Sequence, residues 1–122
     1  MNLYCKTCNY KLTVTDLQRV FSDQVNLKDQ EDLIGPGLYI HASETDIHFG
    51  PRIDFLVNKE SVILHDHKDS SRLTGCCGPS DLNVLNQVCP NCSVAVGLIA
   101  ADCWIPHFVG ISGNAVSKEP LW

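Results

Sequence analysis

Two CxxC pairs, Cys5-Lys6-Thr7-Cys8 and Cys89-Pro90-Asn91-Cys92, stand near opposite ends of the chain with eighty residues between them. A turn with two intervening residues lets both sulfurs point at one ion, and two such turns supply the four thiolates of a closed tetrahedral site. The pattern predicts that Cys5, Cys8, Cys89 and Cys92 share one structural Zn2+. Whatever the middle of the chain folds into must then bring the two pairs together. The long separation is tolerable because loop-closure entropy rises by only roughly 0.6 kcal/mol per doubling of length. Pro90 and Asn91 suit the turn between the second pair of sulfurs, and Ser93 places a small residue after it. A redox reading of either pair lacks the βαβ pattern of a thioredoxin around it.

With 122 residues, 44% of them hydrophobic, the chain is expected to form one zinc-stabilised domain over 1–122. Seven cysteines would suggest disulfides in a secreted protein. No positively charged leader followed by an apolar run is present, so the paired spacing points to metal and to a reducing, cytoplasmic setting. No segment approaches the ~20 apolar residues that cross a bilayer, and no membrane partner is expected. Nine Lys and Arg against fourteen Asp and Glu give a formal charge of -5, which disfavours nucleic acid and suits a basic protein partner. Oligomeric state leaves no mark in the sequence.

Short β-leaning runs dominate the middle: Leu38 to His41, Ile47 to Phe49, Ile53 to Val57 and Ser61 to His65, punctuated by Gly50-Pro51 and Asn58-Lys59-Glu60. Two more follow the second knuckle, Ser93 to Ala101 and Ile105 to Ser112, the latter interrupted or started by Pro106. Lys11 to Val14 reads as a short strand. Asp16 can cap a helical turn with Leu17, Val20 and Phe21 on one face. The polar stretch from Ser22 to Asp32, before the Gly35-Pro36-Gly37 turn, reads as an exposed connection, and the tail from Gly113 as loose. The fold class is therefore mainly β with one or two short helices, organised as a zinc ribbon or β-tent-like knuckle domain.

Three cysteines remain. Cys76 and Cys77 lie in Thr74-Gly75-Cys76-Cys77-Gly78-Pro79-Ser80, a tight loop by composition. Adjacent side chains of an extended segment point to opposite sides and rarely bind one ion together. These two are thus either small packed thiols or a substitute for one knuckle ligand. Cys103, between Asp102 and Trp104, reads as a core thiol, with His107 near enough in sequence to make a Cys–His pair the competing reading. His65-Asp66-His67 puts two imidazoles on one face of a strand, a half-site that would need His41, His48 or an acid to complete it; a solvated strand end is the commoner reading. Trp104 and Trp122 read as core or interface residues.

The combination of Tyr4-Cys5-x-x-Cys8, the 74–80 loop, Cys89-Pro90-Asn91-Cys92 and Asp102-Cys103-Trp104 resembles a group of small bacterial zinc-binding proteins, some of which accompany polymorphic-toxin or type VI secretion genes. That resemblance covers the first ten and the last forty or so residues. It implies a β-rich immunity protein that binds and blocks a toxin, and transfers no catalytic residue. Paired knuckles flanking a sheet are also similar to the β-tent folds of methionine sulfoxide reductase B, which implies as an alternative a thiol-dependent redox enzyme using Cys103. The Arg-aromatic-Cys context of that reductase is missing here.

Overall fold

Most of the apolar runs form strands over part of their length, although the run from Ser61 to His65 pairs only through an isolated bridge at Val62 and then in His65–Asp66; a computed structural model describes residues 1–121, leaving Trp122 and its expected packing role outside the described residues. The strands are β1 (Tyr4–Cys5), β2 (Gln18–Arg19), β3 (Leu38–His41), β4 (Phe55–Val57), β5 (His65–Asp66), β6 (Gln87–Val88), β7 (Ala95–Ala100), β8 (Phe108–Ile111) and β9 (Val116–Ser117). The chain is mainly β, as expected. Among the described residues the helical part is four 3-10 turns, Ser22–Gln24, Ala42–Glu44, Lys59–Ser61 and Ser70–Leu73.

Seven strands form one sheet in the order β2-β3-β4-β8-β7-β6-β5, antiparallel except for the β2–β3 pair. β1 and β9 form a separate two-stranded ribbon. Residues directly opposite one another share a face, so the register produces two buried layers. Ile40, Leu56, Gly110 and Leu98 line up across four strands, and the three side chains in this row pack with Val20, Leu33, Ile105 and Phe108. The neighbouring row, with Val57 opposite Val109, faces Leu3, Leu12, Cys5 and Cys89 on the other side. Both faces of the central strands are thus covered, which is why β4 and β8 read as continuous apolar runs and not as alternating ones. Gly110 keeps the first row flat: a Cβ there would sit 2.9 Å from Ile53 Cγ2.

Several boundaries differ from the sequence reading. The helical turn after Asp16 is not formed. Leu17 and Val20 are buried while Phe21 is 51% exposed, and the segment runs extended, with Gln18 N donating to Gly37 O (2.9 Å) and Val20 N to Tyr39 O (2.8 Å). Pairing with β3 satisfies these amides and buries the two apolar side chains without a helix. The Ile47–Phe49 run is irregular, since Phe49 serves the core by an edge contact with Phe108, centroids 6.0 Å apart, and not by strand pairing. Lys11 and Thr13 make isolated bridges to Tyr4 and Val62 in place of a strand. The tail from Gly113 is not loose, because β9 pairs with β1 and buries Val116 beside the first knuckle. No helix among the described residues is long and apolar enough to cross a membrane.

Candidate metal centre

Each CxxC pair is the turn of a hairpin. The first lies between Tyr4 and Lys11, which bridge antiparallel, and the second between β6 and β7. The two turns follow one hydrogen-bond plan. Asn9 N donates to Cys5 O (2.7 Å) and Cys5 N to Tyr10 O (2.8 Å); Ser93 N donates to Cys89 O (2.9 Å) and Cys89 N to Val94 O (2.9 Å). Asn9 and Ser93, each one residue past the second cysteine, take φ of 67° and 64°. This left-handed residue reverses the chain so that both sulfurs of a pair fall on the same side. The sequence reading valued Ser93 for its size; its backbone conformation is what the turn requires.

The fold brings the four predicted ligands together. The Sγ atoms of Cys5, Cys8, Cys89 and Cys92 all lie within 4.8 Å of one another. Across the two knuckles, Cys5 Sγ stands 3.6 Å from Cys92 Sγ and Cys8 Sγ 3.7 Å from Cys89 Sγ. A tetrahedral zinc with Zn–S bonds of about 2.3 Å has S···S edges of about 3.8 Å. The observed spacing is therefore that of a tetrathiolate shell and far from the roughly 2.05 Å of a disulfide. Cys5 and Cys89 are fully buried in the core layer that also holds Leu3, Leu12 and Val96, while Cys8 and Cys92 lie at its edge. Lys6 N donates to Ala115 O (3.0 Å), tying the first knuckle to the chain just before β9.

Cys8, Cys89 and Cys92 differ in acidity. The Asn91 side chain reaches across from the second knuckle and, with the Tyr10 backbone, brings Cys8 down to about 6 against the opposing effect of burial. Burial pushes Cys92 up to about 12 and raises Cys89. Cys8 is thus prepared to meet a cation as thiolate, whereas the cation must displace protons from Cys89 and Cys92.

A second group assembles at the far end of β7, about 20 Å of extended backbone away. There the Sγ atoms of Cys76, Cys77 and Cys103 also lie within 4.8 Å of one another. The expectation that adjacent Cys76 and Cys77 diverge fails because residues 76–78 are bent, not extended. The bend is organised by the fully buried Asp102. Its carboxylate accepts from the amides of Cys76 (2.9 Å), Cys77 (3.0 Å) and Cys103 (2.7 Å) and from the Trp104 indole (3.2 Å). Burial alone would raise its pKa, but the amides of Cys77, Cys103 and Cys76 and the Ser80 hydroxyl outweigh it and hold the carboxyl well below the usual carboxylate range. Gly75 and Gly78 permit the approach, since a Cβ on either would run into the Gly78 or Ala101 carbonyl. Asp102 was the residue the sequence reading missed. Its signal is an acid immediately before a cysteine, in a chain whose other unpaired cysteines sit between glycines.

The remaining candidates do not converge. His107 Nε2 lies 3.0 Å from the Asp102 carbonyl oxygen, not in a pair with Cys103. Cys103 is itself pushed up to about 12, by hydrogen bonding with Cys77 and then with Asp102, which is the reverse of an activated nucleophile. His65 and His67 line a shallow groove of ≈ 260 Å³ with Asp66, Lys68, Val88 and Ser93. His67 Nδ1 there accepts from Asp69 N (2.9 Å), and Gln87 Nε2 donates to Asp66 (2.8 Å). Among the described residues the two cysteine groups are the clusters able to hold a metal ion, and neither contains a histidine. The chain matches no known family model, no curated protein and no solved structure.

Proposed function

We propose that Cys5, Cys8, Cys89 and Cys92 bind one structural Zn2+ and that the domain it braces is a non-enzymatic protein-binding module, an inhibitor of the immunity type that masks a basic toxin. The observation that carries the metal assignment is the tetrathiolate spacing of sulfurs contributed by two matching knuckles eighty residues apart. Four protein thiolates leave no coordination position for a substrate, so this site braces a scaffold and its partner surface lies elsewhere.

For that surface the reading favours residues 22–32. The segment carries Asp23, Asp29, Glu31 and Asp32 against the single Lys28, and is flanked or interrupted by Phe21 and Leu27, which are 51% and 64% exposed. It is tied to the body through Asn26 N to Leu33 O (2.8 Å) and Gln30 N to Ile105 O (3.1 Å). An ordered acidic ridge with apolar points suits a basic partner by charge and by anchor. Metal analysis of the purified chain, and of Cys→Ser variants at each of the seven cysteine positions, tests the first half: the zinc should depend on Cys5, Cys8, Cys89 and Cys92. Co-purification with the products of adjacent genes, and rescue of cells from their toxicity, tests the second. A chain that neither binds nor protects removes the inhibitor reading and leaves the metal assignment standing.

A further inference from the structure

We propose that Cys76, Cys77 and Cys103 form a second metal site, a solvent-facing trithiolate that takes a soft d10 cation, Zn2+ or Cu+, and leaves one coordination position open. The assignment does not depend on the function proposed above.

Convergence is the first ground. Three sulfurs mutually within 4.8 Å accommodate the S···S separations of a metal–thiolate shell, about 3.8 Å in a tetrahedron and about 4.0 Å in a trigonal plane. Two of these residues are sequence neighbours and the third lies 27 positions after the first, so no local turn brings them together. The agent is Asp102, and its contacts are specific: its carboxylate accepts the backbone amide of each of the three cysteines. A buried carboxylate spent on fixing three would-be ligands is the kind of outer-shell support that orients metal ligands and conditions their affinity. With four N–H donors on its two oxygens, Asp102 is a positioning residue and not itself a ligand.

Charge is the second ground. The buried Asp102 carboxylate sets a fixed negative charge against the three cysteines, and a cation held by their sulfurs balances it.

Exposure is the third ground and sets the character of the site. Cys5 and Cys89 are fully buried, whereas Cys76 and Cys77 are exposed and Cys103 partly so. Among the described residues no fourth cysteine, histidine or carboxylate atom joins the group within the same distance. Zinc held by three protein ligands completes its tetrahedron with an exchangeable molecule, and copper(I) is content with three thiolates. Trp104, which is 55% exposed, donates its indole N–H to the same carboxylate.

The test is metal stoichiometry on the full chain under reductant. Wild type, Cys76→Ser, Cys77→Ser and Cys103→Ser are loaded with excess Zn2+ and dialysed; in a second arm the zinc-loaded proteins receive one equivalent of Cu+ without oxygen. Two metals per wild-type chain are expected, two zinc or one of each according to which ion the site prefers, and one fewer in each variant. Circular dichroism checks that the variants keep their sheet, and Asp102→Asn, which leaves every thiol in place, should weaken retention of the second metal at least tenfold. A wild type whose metal content is unchanged by all three serine substitutions overturns the site. So does a disulfide among these residues, seen as loss of two mass units in metal-loaded protein. Loss of zinc confined to the variants at Cys5, Cys8, Cys89 and Cys92 would uphold the first site while removing this one.

Discussion

Withdrawing the cation from the four-thiolate centre is expected to lower the melting temperature by about 15–20 °C. Eighty residues separate Cys8 from Cys89. Closing a loop of that length in an unfolded chain costs about 15 cal/mol/K, or about 4.5 kcal/mol at 25 °C. The folded sheet presents both knuckles already joined, whereas an unfolded chain must meet that cost before four sulfurs can surround one ion. The folded form therefore binds the ion on the order of 10³-fold more tightly, and that difference is the ion's contribution to stability. For a chain of this length each kcal/mol moves the melting point by about 4 °C. The measurement is thermal unfolding by circular dichroism under reductant, before and after chelation, on the Cys103→Ser variant so that the exposed trithiolate plays no part. Adding Zn2+ back should restore the original curve. A melting point that moves by less than about 5 °C would refute the argument, because the sheet and the β1–β9 ribbon would then hold the knuckles without help.

Further outcomes follow from single positions. Ser93→Gly relieves a left-handed φ of 64° and should raise stability by about 0.5 kcal/mol in urea unfolding, whereas Ser93→Val should lower it by about 1–2 kcal/mol. Gly97→Ala places a Cβ on the Gly110 carbonyl of the adjoining strand, backbone against backbone, and should cost about 3 kcal/mol in the same assay. Asp69 is held below the usual carboxylate range by the Ser71 hydroxyl and amide, with Arg72 adding to the effect. A depressed folded pKa means that its contribution is present above the unfolded value of about 4 and is lost as pH falls through the folded one. The urea midpoint of Asp69→Ala should accordingly lie below that of wild type at pH 6, and the gap should narrow by pH 3.

The sequence disclosed what local chemistry determines and concealed what distant partners impose. The knuckles were legible because two residues between cysteines is itself a geometric statement, and Leu38–His41 because a β-rich run bounded by turns has few alternatives. The stretch Leu17–Phe21 misled because its apolar spacing fits a helix as well as an extended segment whose edge is taken by residues 37–39. Ile47–Phe49 misled in the opposite way: its apolar side chains are needed by the core, but its backbone is not needed by the sheet. The bend at Cys76–Gly78 was beyond reach, because the carboxylate that makes it stands some twenty-five residues later.

The order in which the strands pair has a bearing on how the protein is made. β8, the centre of the sheet, is made only at residues 108–111, so β4 lacks its second neighbour until then, and Cys5 and Cys8 meet their counterparts only after residue 92 has appeared. At ordinary synthesis rates of about 5–20 residues per second, the nascent polypeptide spends roughly 4–16 s with half of the four-thiolate set and an incomplete layer of strands. During that interval the early thiols are open to oxidants and to competing ions. Supply of the right metal at the moment of release, more than the stability of the finished molecule, would then govern how much of it matures.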